Sequence, residues 1–94
     1  MKVKLFAAML LFTTTVNAEC ENVSGLAESV MSARQQGLSM RSVLAAVVSD
    51  NEDFKAAFKD MVMQAYSSPR FISDEMQQRA TTEFGNLYMR ECLK

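Results

Sequence analysis

Apolar positions recur along this chain at spacings of three and four, and four helices can be read from them. In the first, over about 20–36, Cys20, Val23, Ala27, Val30, Met31 and Arg34 form one stripe, and Gly37 stands where a C-terminal glycine cap belongs. The second is short. Ser39 is placed to cap it, and Met40, Val43, Leu44, Val47 and Val48 follow at helical spacing before Asp50-Asn51 interrupts. The third is the clearest, with Phe54, Ala57, Phe58, Met61, Val62, Ala65 and Tyr66 in an unbroken i, i+3, i+4 series. Asp50 or Asn51 caps it, Glu52 and Asp53 suit its positive end, and Ser67-Ser68-Pro69 stops it. The fourth starts after Ser73, with Asp74 and Glu75 in its first turn. Met76, Ala80, Phe84, Tyr88 and Cys92 then recur every four residues beside Leu87, and Gly85 is a mild interruption costing about 1 kcal/mol relative to alanine. No alternating β-branched run and no Asn-Gly or Asp-Gly hairpin turn occurs. The expectation is an all-α fold, a compact bundle of about four helices in a single domain.

The first residues change what this domain consists of. Lys2 and Lys4 form a short basic region, Leu5 to Phe12 an apolar run, and Val16-Asn17-Ala18 a site of the kind signal peptidase cuts. The run is too short to span a bilayer, which takes about 20 residues. The sequence therefore predicts a signal peptide over 1–18, cleaved after Ala18, and a mature helical domain over 19–94. No lipobox surrounds Cys20. The expected compartment is the periplasm, with no stable membrane insertion after cleavage.

Export gives the two cysteines a meaning. Cys20 and Cys92 bracket nearly all of the mature chain, and in an exported protein of this size an even cysteine count reads as disulfide. Two cysteines with no histidine and no nearby thiol make a poor zinc site, and no C-x-x-C redox pair is present. A single intramolecular bond would join the start of the first helix to the end of the last and close the bundle.

Charge and composition narrow the function classes. The chain has 10 basic and 11 acidic groups and no histidine. Losing Lys2 and Lys4 leaves 8 basic against 11 acidic, a mature net charge of −3. Nucleic acid and anionic lipid repel such a protein. Histidine-based catalysis and histidine-ligated metals are excluded. A carboxylate pair could serve glycoside hydrolysis, but short helices seldom leave a cleft wide enough for sugar rings. Asp50-Asn51-Glu52-Asp53 resembles the opening of a calcium loop, yet Lys55 and Met61 stand where glycine and glutamate are needed. The expectation is a protein that is not an enzyme and needs no cofactor or metal. Asn22-Val23-Ser24 matches a glycosylation sequon, which is without meaning in a bacterial periplasm. Met31, Met40, Met61, Met63, Met76 and Met89 fill a core more readily than they build a surface, and Met63 and Met89 lie off the stripes.

The segment from Tyr66 to Ser73 places Arg70, Phe71 and Ile72 in a non-helical connection. It reads in two ways. Phe71 and Ile72 can plug the bundle end while Arg70 pairs a carboxylate, or Tyr66, Arg70 and Phe71 can bind a partner, tyrosine and arginine being favoured interface residues. Arg34, in the polar helix end Arg34-Gln35-Gln36, is a further partner-binding candidate, although a cation there also simply suits the helix dipole.

The string Val30-Met31-Ser32-Ala33-Arg34-Gln35-Gln36-Gly37, with Ala65-Tyr66, Pro69-Arg70-Phe71, Phe84, Tyr88 and Cys92, resembles a group of small exported two-cysteine helical proteins from bacterial, prophage and phage genomes. The resemblance spans most of the mature chain and implies a phage or prophage origin. It carries no catalytic motif. Size, export and lack of catalytic groups are also shared with small periplasmic inhibitors, immunity proteins and acid-stress chaperones, an analogy of class only. The expected function is binding and modulation of an envelope protein. The alternative is a stress chaperone for unfolded clients, whose acid switch would run through carboxylates below about pH 5.

Overall fold

The structure, a computed structural model, describes residues 2–94, with side chains from Ala18 onward. Four helices follow one another: α1 (Lys2–Gln35), α2 (Met40–Ala46), α3 (Glu52–Tyr66) and α4 (Asp74–Leu93). The described residues contain no strand. The all-α bundle read from periodicity is therefore the observed fold. The expected leader lies, but for Ala18, outside the residues whose side chains are described. The first helix does not begin at Cys20 as expected, because the α1 backbone is continuous from Lys2.

Each boundary has a local cause. Asn51, rather than Asp50, caps α3, its Oδ1 accepting from the Phe54 N–H at 3.0 Å. The Ser39 and Ser73 hydroxyls accept from the Ser42 and Met76 N–H groups, both at 3.1 Å. These side chains satisfy donors that the first helical turn leaves without partners. At the far end of α1, the Leu38 N–H donates to the Ala33 carbonyl at 3.0 Å and the Gly37 N–H to the Arg34 carbonyl at 3.1 Å. That pair of bonds is the Schellman arrangement, and Gly37 has the positive φ of 86° it requires.

The second helix is shorter than its apolar spacing suggests. Val47 leaves the helix with extended backbone, φ −117° and ψ 124°. Its side chain still turns inward, but Val48 is thrown into solvent at 90 % exposure instead of continuing the stripe.

Ala27, Val30 and Met31 of α1, Val43 of α2, Phe58, Met61, Val62 and Ala65 of α3, and Phe84 of α4 form one buried cluster. Helix α4 packs chiefly along α1, while α2 lies on α3 and α1. Close approach of α1 and α4 depends on small residues. The buried Ser24 hydroxyl donates to the Gly85 carbonyl at 2.8 Å, and a Cβ on Gly85 would lie 2.5 Å from Glu28 Cγ. Gly85 thus has a packing role that its reading as an interruption left out. Phe84 and Tyr88 meet edge to face at 5.1 Å.

The methionines divide differently from expectation. Met31 and Met61 are buried and Met63 is exposed, as their spacing suggests, but Met89 is half-buried and Met40 and Met76 are both partly exposed. The last two stand in the first turns of α2 and α4, at the margin of the packed layer.

Cys20 and Cys92 form the disulfide, their Cα atoms 5.5 Å apart across a sequence separation of 72. Cys20 is buried and Cys92 is exposed. The bond ties the start of the side-chain-described part of α1 to the last turn of α4.

Candidate functional site

The end of the bundle opposite the disulfide is built from the C-terminus of α1 and the α3–α4 connection, residues 67–73. Three side chains fix the backbone of that connection through four hydrogen bonds. Arg34 Nε donates to the Ser68 carbonyl at 3.1 Å. Gln35 Nε2 donates to the Pro69 carbonyl at 3.0 Å, and Gln35 Oε1 accepts from the Phe71 N–H at 2.8 Å. Gln77 Nε2, from the first turns of α4, donates to the Phe71 carbonyl at 2.7 Å.

Gln35 is the residue that sequence reasoning missed. It is 2 % exposed, and both ends of its amide are bonded. A buried amide is tolerable only when satisfied in this way, since each unmet group costs about 1–3 kcal/mol. A signal for it did exist. Ala27, Met31 and Gln35 follow at intervals of four, so an amide occupies a position on the buried stripe.

The partner-binding candidates from the sequence come together here, and the structure gives most of them internal tasks. Arg70 does not pair a carboxylate as the plug reading expected. Its Nε donates to the Gln35 carbonyl at 2.8 Å, supplying a partner for a helix-end acceptor. Its guanidinium covers Gly37, where a Cβ would lie 3.0 Å from Arg70 Cζ. Gly37 is therefore required twice, by its φ and by its neighbour. Arg34 Cζ lies 5.3 Å from the centroid of the Tyr66 ring, a cation–π contact. The Tyr66 hydroxyl donates to the Leu38 carbonyl at 2.7 Å. Burial pushes the Tyr66 phenol above its ordinary range, with Arg34 opposing.

Phe71 is half-buried beside a hollow of roughly 340 Å³ that Pro69, Phe84, Leu87 and Arg90 also line. Ile72 departs from the plug reading altogether. It stands 99 % exposed, directly after the residue whose N–H and carbonyl are both held by side chains.

A second feature lies where α2 rests on α1 and α3. An apolar hollow of roughly 210 Å³ there is walled by Leu26, Val30, Ala33, Val43, Val47 and Phe58. A neighbouring hollow of roughly 190 Å³ shares Val47 and Phe58 and adds Leu44, Phe54, Lys55 and Lys59.

Among the described residues, no group of three or more histidine, cysteine, aspartate or glutamate side chains is placed to hold a metal ion. Among the same residues, no helix is long and apolar enough to cross a membrane. The chain matches no protein-family profile, no curated protein and no solved structure.

Proposed function

We propose that this is an exported, non-enzymatic binding protein that holds and modulates a protein of the cell envelope, of inhibitor, immunity or exclusion type. One observation carries the reading: Ile72 stands fully exposed on a loop whose backbone is held by Arg34, Gln35 and Gln77. An aliphatic side chain in water gains by being covered. A loop ordered in advance loses little further entropy when a partner covers it. Arg34, Tyr66 and Arg70 then act by positioning, and Ile72, with Phe71 beside it, supplies the contact. The disulfide is consistent with an oxidising compartment.

The test is capture of envelope proteins by the tagged, disulfide-bonded protein, compared with an Ile72→Asp variant. We expect one near-stoichiometric partner, lost in the variant while the thermal midpoint stays within about 2 °C, because the side chain supports no fold contact. Equal recovery by both proteins would remove this loop from the interface.

A further inference from the structure

We propose that the cleft spanned by α2 is a binding site for a free single-chain fatty acid, its alkyl chain against α1 and α3 and its carboxylate at Lys55 and Lys59. The first hollow, of roughly 210 Å³, is walled almost wholly by carbon. Water gains few partners there, so an apolar group is the favoured occupant. The second hollow continues from the same Val47 and Phe58 and is lined also by Lys55 and Lys59. Lys55 is bridged to Glu52 at 3.4 Å, both groups being well exposed. Lys59, which also lines this hollow, makes no ion pair among the described residues.

Shape separates a thin chain from a bulkier guest. A helix with its side chains is about 10 Å across, and α2 already lies against both α1 and α3. An alkyl chain needs no such room. Helix α2 is also a movable wall, because it has only seven residues and buries only Val43. Leu44 remains exposed along its edge and would be covered by the bound chain.

Laurate is the probe, titrated below its micellar concentration into the purified disulfide-bonded protein, by calorimetry and by amide NMR. We expect saturable one-to-one binding, with shifts at Ala33, Val43, Val47 and Phe58 and none across residues 67–73. Octanoate should bind more weakly, by about fourfold per methylene removed. The double variant Lys55→Gln, Lys59→Gln should weaken laurate about three- to tenfold without loss of fold, since both side chains are exposed. Ala46→Leu, which extends a side chain into the first hollow, should compete with the ligand in the same way. No laurate binding up to millimolar concentration would overturn the proposal. So would shifts centred elsewhere, an affinity indifferent to chain length, or binding to phosphatidylglycerol vesicles in preference to free laurate. None of these outcomes bears on the loop carrying Ile72, which is tested separately.

Discussion

At the scale of single residues, the end of the bundle is held by side chains bonded to backbone. Gln35→Ala would strip partners from the Pro69 carbonyl and the Phe71 N–H, and should cost about 2–4 kcal/mol in urea unfolding. Gly37→Ala should cost at least about 1–2 kcal/mol for the left-handed backbone alone, with displacement of the Arg70 guanidinium in addition. Burial raises the phenol pKa of both Tyr66 and Tyr88, and Asp60 adds to it at Tyr88. Folding thus favours the protonated phenols. Their contribution is fully present below the unfolded value near 10 and is lost as pH rises through the higher folded values. Denaturant midpoints should therefore be flat from neutrality to about pH 9.5 and fall above it, more steeply than in a Tyr66→Phe variant. The residue scale is also where the sequence was least legible. Spacing marks a position on a stripe, but it does not say that an amide such as Gln35 is buried because a distant Pro69 and Phe71 satisfy it. Nor does it separate Phe71, which turns toward the core, from Ile72 beside it, which does not.

At the scale of helices, α3 was read closely from its pattern because its apolar residues repeat without a break and an Asx cap and a proline bound it. Helix α2 is shorter than its apolar spacing predicts. Two adjacent β-branched residues, Val47 and Val48, fit helical spacing on paper, yet the chain gains more by turning Val47 extended and inward. Gly85 reads as a propensity cost in isolation, but α1 determines its role. Gly85→Ala should destabilise despite the better helix former, because Glu28 Cγ occupies the space. In a background of Glu28→Ala the same substitution should become stabilising by up to about 1 kcal/mol. A thermal double-mutant cycle measures the change of sign.

At the scale of the whole molecule, Cys20 of α1 is tied to the last turn of α4, and the opposite end of the bundle carries the candidate interface. The pairing of Cys20 with Cys92 was legible because only one intramolecular bond was possible. The helical bundle was legible because its apolar residues recur at spacings of three and four. The C20S/C92S variant should lose about 4 kcal/mol of unfolding free energy, the loop-closure value for a separation of this length. Because α1 and α4 also pack through Ala27, Met31 and Phe84, its helical circular dichroism should persist at low denaturant. What the sequence left open was which face meets a partner, since that depends on which of several apolar loop residues the closed bundle leaves outside. The most direct measurement places a photoreactive amino acid at position 72, and as a control at position 94, in exporting cells, and resolves the products by mass. A binding role for Ile72 requires a discrete protein adduct from position 72, absent from position 94 and diminished when Gln35→Ala loosens the loop. Equal adducts from the two positions, or none from position 72, would contradict it.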